Sequence, residues 1–269
     1  MTGSLVVCPT PIGNLEDVTL RVLAALRSAD VVACEDTRRT RVLLDKYGVS
    51  ARMVSYHEHN EASRASELVS RMAGGETVAL VSDAGMPLVN DPGFLLVQAC
   101  VAAGIGVEVL PGPSAALTAL VASGLPATTW RFVGFLPRKR GELETLFRGA
   151  GETLVAFESP RRLGAALDAL SAVDGDRPVA VCRELTKLHE EIVRGSAAEL
   201  AARYAEEDPR GEIVVVIGAG VPEAADLGPA LDALARLVDA GAKARPAAGV
   251  VSELTGVPAN ALYKALLER

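Results

Sequence analysis

The stretch Thr77–Gly93, which reads TVALVSDAGMPLVNDPG, sets the frame for interpreting the whole chain. It begins with an unbroken apolar run, Val78–Val81, of the kind that is buried on both faces of a parallel sheet. The run ends in a segment too rich in Gly, Pro, Asp and Asn for a helix or strand, and a helical pattern begins at Phe94. Because open α/β sheets bind ligands at the carboxyl ends of their strands, we expect this loop to hold a small cofactor. An ordinary connection between strand and helix is the alternative.

The same pattern, a short apolar run followed by a polar or Gly/Pro-rich loop, occurs four more times in the first half of the chain. Helical patterns lie between most of these runs, so we expect a doubly wound α/β domain with a mostly parallel sheet over residues 1–137. One helix is predicted from an N-cap at Asn14 to about Leu26, and Phe132–Pro137 is predicted to be a crossover. The four further strands are predicted at Leu5–Cys8, Val31–Cys34, Met53–Tyr56 and Val107–Leu110.

A second α/β domain is predicted over residues 138–220, after a linker at Arg138–Gly151. Its later strands follow one another without a helix between each pair, which favours a mixed sheet. The expected strands are Thr153–Phe157, Pro178–Cys182, one near Glu191–Val193, and Glu212–Ile217, and the expected helices are Pro160–Leu170 and Ala197–Ala205.

The last segment, residues 221–269, is predicted to be a small helical extension. An Ala/Pro/acidic linker, Val221–Gly228, precedes three helical patterns. Gly256 lies between the last two, in the position typical of a helix-turn-helix, and a plain helical cap is the alternative. The three helices are predicted at Pro229–Ala240, Arg245–Thr255 and Pro258–Glu268.

Composition limits the class of protein. The chain has 269 residues, 49% hydrophobic and only 4% aromatic, which is typical of α/β domains with aliphatic cores. The formal net charge of −7 means that nucleic-acid binding would depend on local basic patches. The four cysteines lie in apolar segments without metal-ligand spacing, so we expect buried reduced thiols and no metal. With no signal peptide and no uninterrupted apolar span, we expect a cytoplasmic protein without a membrane segment.

Three predicted loops have Gly and Pro where a backbone could approach a ligand closely: Thr10–Asn14, Ser82–Gly93 and Pro111–Ser114. None carries the Gly-Lys-Ser/Thr of a P-loop, and none fits the GxGxxG pattern of a dinucleotide site. The ligand is therefore expected to be something other than a nucleoside triphosphate or a dinucleotide.

The chain resembles the tetrapyrrole methylase superfamily, whose members use S-adenosylmethionine between two α/β domains. The resemblance rests first on Pro9–Leu15, Ser82–Pro87 and Pro111–Ala115, which look like the three nucleotide-site loops. The Gly-Asp-Pro loop of the tetrapyrrole enzymes appears here as Ala84–Pro87 after Asp83, a departure that fits the RNA-modifying branch. Four more segments are similar to the ribosomal RNA small subunit methyltransferase I branch: Cys34–Arg38, Phe157–Arg162, Cys182–Lys187 and Gly211–Val215.

That resemblance implies a function and a set of cofactor contacts. Members of the branch methylate the ribose 2′-hydroxyl of a cytidine in the decoding region of 16S rRNA, and the resemblance also implies a homodimer. Plain packing is the alternative for each residue. The implied cofactor contacts are Pro11, Asp83, Ala84, Gly85, Ser114 and Ala115 in the first domain, with Phe157, Leu185 and Val214 walling the adenine.

The sequence does not select the group that would accept the proton of the hydroxyl. In-line positioning supplies much of the rate of such a transfer, and a nearby base adds about 10²–10⁴. Carboxylates at Glu35 and Asp36 precede three arginines and are expected to brace them rather than act as bases. The candidates near strand ends are Glu35, Asp36, His57, Glu58, Asp91, Glu184 and Lys187.

Positive charge is concentrated after predicted strands, where it is expected to bind RNA phosphates. The low aromatic content argues against wide base-stacking platforms, so we expect recognition of RNA backbone and shape. Solvated surface charge is the alternative for each residue. The expected RNA-binding residues are Arg38, Arg39, Arg138, Lys139, Arg161, Arg162 and Lys187.

Two other functions remain open from the sequence. A small-molecule tetrapyrrole methylase would share the fold, but it would not need the arginine clusters or the added helices. A ligand-sensing regulator that binds DNA through its last helices is disfavoured because these helices are near neutral. The partner expected from the sequence is the small ribosomal subunit or its 16S rRNA.

Overall fold

The computed structural model describes residues 3–206, 209–220 and 227–268. Its strands within these residues are β1 Ser4–Val7, β2 Val31–Cys34, β3 Met53–Ser55, β4 Val78–Val81, β5 Gly106–Val109, β6 Trp130–Phe135, β7 Thr153–Glu158, β8 Pro178–Arg183, β9 Glu191–Ser196 and β10 Ile213–Ile217. Its α-helices are α1 Leu20–Ser28, α2 Thr37–Lys46, α3 Glu61–Ala73, α4 Phe94–Ala102, α5 Ala115–Ser123, α6 Arg140–Arg148, α7 Pro160–Val173, α8 Ala197–Arg203, α9 Leu227–Asp239, α10 Ala244–Thr255 and α11 Ala259–Leu267.

The first sheet is parallel throughout, in the order β3-β2-β4-β1-β5. Every residue of β2 and β4 is buried, as expected for inner strands covered by helices on both faces. Separate apolar clusters lie on its two faces, one around Leu68 and Leu80 and the other around Leu26 and Leu44. The predicted doubly wound parallel sheet is confirmed, and β4, the strand that opens the Thr77–Gly93 stretch, lies at its centre.

The second sheet is mixed, as predicted, in the order β6-β7-β10-β8-β9. Only β6 and β7 run parallel, and the other pairs are antiparallel. The prediction that Phe132–Pro137 is a crossover was wrong, because Trp130–Phe135 forms the edge strand β6 with a register irregularity between Phe132 and Phe135. Gly134 at that irregularity has φ +67°, a left-handed conformation that interrupts the strand pattern.

Three local elements differ from the sequence-based expectation. Asn14 caps only a short 3₁₀ turn, Leu15–Asp17, and α1 begins afresh after the N-cap Thr19. The arginine-rich segment after β2 is the helix α2, capped by Asp36. The predicted linker Arg138–Gly151 contains α6, whose Leu143 and Phe147 belong to the core of the second sheet. We therefore propose a domain boundary before β6 rather than at residue 138.

The C-terminal helices α9–α11 form a small bundle around Leu234, Val251 and Leu262. Gly256 ends α10 with φ +76°, which is the predicted glycine turn between the last two helices. Most of the predicted linker at 221–228 falls on residues 221–226, outside the described residues.

The buried cysteines agree with the expectation from the sequence. Cys8, Cys34, Cys100 and Cys182 are free and buried. Across the described ranges, no helix is both long and apolar enough to cross a bilayer.

The two sheets are brought together by α5 and the loop after β1. Ile12, Ala119 and Leu120 pack in one apolar cluster with Val155 and Val214 of the second sheet. The carboxyl ends of the first sheet therefore face the second sheet across a shared apolar contact, and the candidate site lies there.

Candidate functional site

The loops after β1 and β4 are joined by their backbones. Thr10 N–H donates to Gly85 O and Gly85 N–H donates to Thr10 O, each at 2.9 Å, and the Thr10 hydroxyl donates to Ser82 O at 3.0 Å. Gly85 has φ +80°, and a Cβ there would lie 3.4 Å from Ile12 Cγ2. Only glycine adopts that conformation without strain while leaving the surface beside Ile12 open.

The loop after β5 packs against the first of these loops. A Cβ on Gly112 would lie 2.6 Å from Pro9 Cγ, so the close approach requires glycine. Ser114 then caps α5, and its hydroxyl accepts from Leu117 N–H. The three loops predicted from sequence therefore meet at one edge of the first sheet.

The segment after β8 closes the opposite side. Asn14 N–H donates to the Thr186 hydroxyl at 3.0 Å, and a Cβ on Gly13 would lie 2.8 Å from Leu185 O. Glu184 and Thr186 have φ of +50° and +65°, a left-handed conformation that is strained for residues with side chains. Strain of about 1–3 kcal/mol per residue persists where the surrounding structure enforces it, often at ligand sites.

A cavity of about 360 Å³ lies between these loops and the second sheet. This volume is in the range of small-molecule sites, which runs from about 300 to 1,000 Å³. Pro11 and Asp83, two of the nine residues expected to contact the cofactor, are not among its lining residues. The other seven all line it: Ala84, Gly85, Ser114, Ala115, Phe157, Leu185 and Val214.

Asp83 instead links β4 to the start of α2. Its Oδ1 accepts from Asp36 N–H at 3.0 Å, and its Oδ2 lies 3.4 Å from an Arg39 guanidinium nitrogen. The strands β2 and β4 are neighbours, so their following residues meet at the sheet edge. Asp83 therefore holds the arginine-bearing helix α2 to the cavity loop. This role could not be predicted from the sequence, because the sequence analysis did not predict α2.

Asp36 is a brace rather than a base. Its carboxylate accepts from Arg38 Nε at 3.0 Å and from Arg38 Nη2 at 2.6 Å, and it also accepts from the Arg38 backbone N–H. These hydrogen bonds, the guanidinium first, lower the pKa of Asp36 to about 2. A carboxylate with so low a pKa is a poor proton acceptor at neutral pH.

Three other carboxyl groups near the cavity loop have raised pKa values. Burial raises the pKa of Asp91 to about 6, with the Ser82 hydrogen bond opposing and the carboxylates of Glu35 and Asp83 adding to the rise. Burial also raises the pKa values of Glu35 and Asp83. Of the three, only Asp91 is among the residues lining the cavity.

The histidine candidate lies beside this acidic group. His57 Nδ1 is buried without a hydrogen-bond partner, and its Nε2 lies 3.3 Å from Asn60 Nδ2. The electrostatic effect of His57 reaches Glu35, and Glu58 is exposed. Neither His57 nor Glu58 lines the cavity.

Lys187 is engaged within the second half of the structure. Its ammonium donates to Glu184 Oε1 at 2.8 Å and to Glu212 Oε2 at 2.9 Å. Burial works against the charged form, but these two carboxylates prevail and raise the pKa of Lys187. Glu184 is likewise desolvated, yet its bonds to Lys187 and to Glu212 N–H leave its pKa lowered. Both groups remain charged at neutral pH, and Lys187 is less available for RNA than the sequence suggested.

The remaining basic residues divide into three kinds. Arg162 donates to the carbonyls of Leu136 and Pro137 at 2.7 and 2.8 Å, so its guanidinium is used inside the protein. Arg138 and Arg161 are exposed and have no acidic partner among the described residues. The other three are exposed but form ion pairs with a carboxylate: Arg38 with Asp36, Arg39 with Asp83, and Lys139 with Glu142.

Sequence reasoning missed two cavity residues with distinctive surroundings. Phe135 is 56% exposed and forms an edge contact with Phe157, at 5.7 Å between ring centroids. Glu158 is 2% exposed and ends β7. Phe135 was missed because its segment was predicted to be a crossover rather than a strand. Glu158 could have been found, because it is a carboxylate at the end of a predicted strand. Within the described ranges, no three His, Cys, Asp or Glu side chains are grouped for a metal ion.

Comparisons with known proteins bear on this site. The tetrapyrrole (corrin/porphyrin) methylase family model matches residues 4–201. A relative from Mesorhizobium japonicum is 48% identical over 98% of this chain and 92% of its own, and one from Micromonospora olivasterospora is 50% identical over 98% and 86%. Both are named ribosomal RNA small subunit methyltransferase I.

A solved structure shares the fold. Uroporphyrin-III C-methyl transferase from Thermus thermophilus, complexed with S-adenyl homocysteine, superposes with a TM-score of 0.57 at 22% identity. The match covers 80% of this chain and 97% of that one. It therefore leaves about a fifth of this chain outside.

Proposed function

The chain belongs to the ribosomal RNA small subunit methyltransferase I family of tetrapyrrole methylases, and from that premise we propose what it methylates and how. The proposed reaction moves the methyl group of S-adenosylmethionine to the ribose 2′-hydroxyl of a cytidine in the decoding region of 16S rRNA. The observation that carries the proposal is the cavity between the sheets, which collects seven of the nine cofactor contacts expected from sequence.

The cavity suits S-adenosylmethionine in shape and in chemistry. Gly85 and Gly112 let backbone approach closely on one side, where a Cβ would meet Ile12 or Pro9. Phe157, Leu185 and Val214 offer an apolar wall on the other, suited to an adenine ring. When bound, the cofactor supplies a methyl group on a positively charged sulfur. The protein contributes position and exclusion of water, which are the main requirements for such a transfer.

We propose Asp91 as the proton acceptor for the ribose hydroxyl. It lines the cavity, and its pKa of about 6 leaves the carboxylate ionised at neutral pH yet more basic than an ordinary aspartate. Glu35 is not among the residues lining the cavity, and Asp36 and Lys187 are held by charged partners. Asp91 Oδ would take the proton while the hydrogen bond with the Ser82 side chain holds the carboxylate in place.

Basic residues around the cavity are proposed to hold the RNA. Arg138 and Arg161 are free of acidic partners within the described residues, and Arg38 is 88% exposed at the start of α2. Guanidinium groups of this kind bind phosphates and set the position of the strand. The net charge of the whole chain is −7, so RNA binding would be restricted to a local basic face such as this one.

A homodimer is also proposed, in line with the family resemblance. Exposed aliphatic side chains lie on α4, on the edge strand β5 and on α5: Val101 is 67% exposed, Val109 57% and Val121 80%. An edge strand flanked by apolar surface is typical of an interface. Sedimentation velocity checks this, and a monomer at all concentrations would contradict it.

Methyl transfer from tritiated S-adenosylmethionine tests the proposed function. The acceptors compared are 30S subunits, naked 16S rRNA and a tetrapyrrole precursor. We expect label in the RNA of one or both ribosomal substrates. Label only in the tetrapyrrole, or binding of cofactor without transfer to RNA, would contradict the proposal.

A further inference from the structure

Phe135 is an aromatic side chain that the fold leaves accessible at the edge of the cavity. It is 56% exposed, it lines the cavity, and its ring meets that of Phe157 edge-on at 5.7 Å between centroids. By contrast, Val214 and Leu185, which line the same cavity, are 5% and 6% exposed. The apolar lining therefore has a buried inner part and an accessible ring at its edge.

An extra residue in β6 turns Phe135 toward the cavity. The register of β6 against β7 shifts by one residue between Phe132 and Phe135, so that Phe135 pairs with Phe157 on the cavity side. Without this shift, Phe135 would lie on the same face as Val133, which packs against the core on the other side of the sheet. The left-handed Gly134 lies at the shift. Extra residues of this kind are frequent next to active sites, where they redirect a side chain.

The loop after β4 brings the proposed proton acceptor close to this ring. A Cβ on Gly134 would lie 3.0 Å from Asn90 Oδ1, so the residue before Phe135 touches the residue before Asp91. Asn90 and Asp91 both line the cavity. A ribose whose 2′-hydroxyl reaches Asp91 would therefore have Phe135 nearby. The base is attached to the carbon next to the one that carries this hydroxyl, so the base is the flat group that would meet the ring.

Positive charge on both sides of the ring favours a nucleotide as its partner. Arg138 lies three residues after Phe135, and Arg161 follows Pro160, which lines the cavity. Both arginines are exposed, and neither has an acidic partner in the part of the chain that the structure describes. Guanidinium groups bind RNA phosphates, and unstacked bases are recognised by stacking on aromatic side chains. A base with phosphates on either side fits this combination.

We propose that Phe135 is a substrate-binding residue whose ring stacks on the base of the nucleotide that receives the methyl group. The inference rests on the proposed function, because it assumes that an RNA ribose lies at Asp91. A single stacked base agrees with the low aromatic content of the chain, 4%, and with recognition mainly of RNA backbone and shape. Stacking on Phe135 would hold the ribose of that base in the position that transfer requires.

Methylation of 30S subunits by Phe135→Leu and Phe135→Tyr tests the assignment. Phe135→Leu removes the ring and is expected to lower kcat/KM for the subunit about 5- to 100-fold, the range for one stacked base. Phe135→Tyr keeps the ring and is expected to behave as the wild type. Both variants should bind S-adenosylhomocysteine as the wild type does, measured by calorimetry. Phe94→Leu is the matched control, because Phe94 is 63% exposed at the start of α4 and is not among the residues lining the cavity.

A target nucleotide without a base provides a second arm, because it keeps the 2′-hydroxyl that accepts the methyl group. The substrate is a 30S subunit assembled with an abasic ribose at the position that the wild type methylates. The wild type is expected to methylate it about 5- to 100-fold more slowly than the intact subunit. Phe135→Leu is expected to match the wild type on the abasic substrate, because the contact that the variant lacks is already absent.

Three results would overturn the assignment. One is wild-type kcat/KM of Phe135→Leu on the intact subunit, and another is a deficit of this variant that persists on the abasic substrate. The third is weakened binding of S-adenosylhomocysteine by Phe135→Leu, since the ring would then belong to the wall around the adenine. If the wild type transferred no methyl group to 30S subunits or 16S rRNA, the proposed function itself would be refuted.

Discussion

Thr10 and Gly85 exchange two backbone hydrogen bonds of 2.9 Å, which join the loops after β1 and β4 into one floor of the cavity. The strands β1 and β4 pair in parallel up to Val7 and Leu80. Beyond the strands, the two loops come together again at Thr10 and Gly85, where the chains run antiparallel. The floor is thus fixed by backbone atoms, and its shape depends on the conformations that its residues can adopt.

Replacing Gly85 by alanine is expected to weaken S-adenosylhomocysteine binding. The φ of +80° costs alanine about 1 kcal/mol, and the new Cβ would lie 3.4 Å from Ile12 Cγ2 on the cavity side. We expect a rise in Kd of about 10-fold or more, measured by calorimetry. Gly104→Ala is the control, because Gly104 has φ +68° with open space around it. If Gly85→Ala and Gly104→Ala changed the Kd equally, Gly85 would not belong to the part of the cavity floor that contacts the ligand.

The Asp91→Asn variant is expected to slow methyl transfer by about 10²–10⁴ while S-adenosylhomocysteine still binds. Asp91 acts as a base only when ionised, so the wild-type rate should rise with pH through about 6 and level off above it. Single-turnover rates from pH 5 to 8 check both points. Asp45→Asn, an exposed position on α2, controls for the change in charge. A variant that keeps the wild-type rate and pH profile would remove Asp91 from the mechanism.

Ionised Asp91 should also affect stability, with the opposite sign to a salt-bridged aspartate. Its folded pKa lies above its unfolded value, so the folded state binds the proton more tightly and its contribution to stability falls as pH rises from about 4 to about 6. The free energy of unfolding of Asp91→Asn should therefore lack this dependence on pH.

Arg161→Ala is expected to weaken binding to 16S rRNA and leave cofactor affinity unchanged. Removing one phosphate contact should lower the slope of log Kd against log salt by about 1. Filter binding over a series of salt concentrations measures it. The control is Arg21→Ala, an exposed arginine paired with Glu108 on the first sheet. Parallel losses of RNA and cofactor affinity would indicate a folding defect rather than an RNA contact.

Arg177→Met is expected to destabilise the second domain. Arg177 is 2% exposed and donates to three carbonyls, of Gly218, Phe147 and Ala150. Unsatisfied buried groups cost about 1–3 kcal/mol each, so the free energy of unfolding should fall by about 3 kcal/mol or more. Denaturant titration measures the change, with exposed Arg148→Met as the control. A loss below about 0.5 kcal/mol would mean that the carbonyls find water instead.

Much of the fold could be predicted from periodicity. The fully buried runs of β2 and β4 are four apolar residues each, and the strand ends place the cofactor loops without any long-range information. The helix α2 was missed because its first turn is Thr37-Arg38-Arg39, although Thr40, Leu43 and Leu44 carry a helical pattern of burial. The edge strand β6 was missed because a left-handed Gly134 interrupts its alternation.

The residues of the site that belong to backbone loops could be predicted from the sequence. The residues whose roles depend on hydrogen-bond or ion-pair partners elsewhere in the chain were harder to predict. Ala84 and Gly85 line the cavity as expected, because glycine and small residues mark the close approach. Asp83 turns toward Arg39 and Asp36 N–H, which are 44 or more residues earlier and lie on a helix absent from the prediction.

The most direct measurement is the position of the transferred methyl group. 30S subunits from cells lacking this methylation are incubated with the protein and S-adenosylmethionine, and the 16S rRNA is digested to nucleosides and analysed by mass spectrometry. The account predicts one 2′-O-methylcytidine per subunit, located in the decoding region, and its loss in Asp91→Asn. Methyl groups found on a base, or no methylated nucleoside above the untreated subunit, would contradict it.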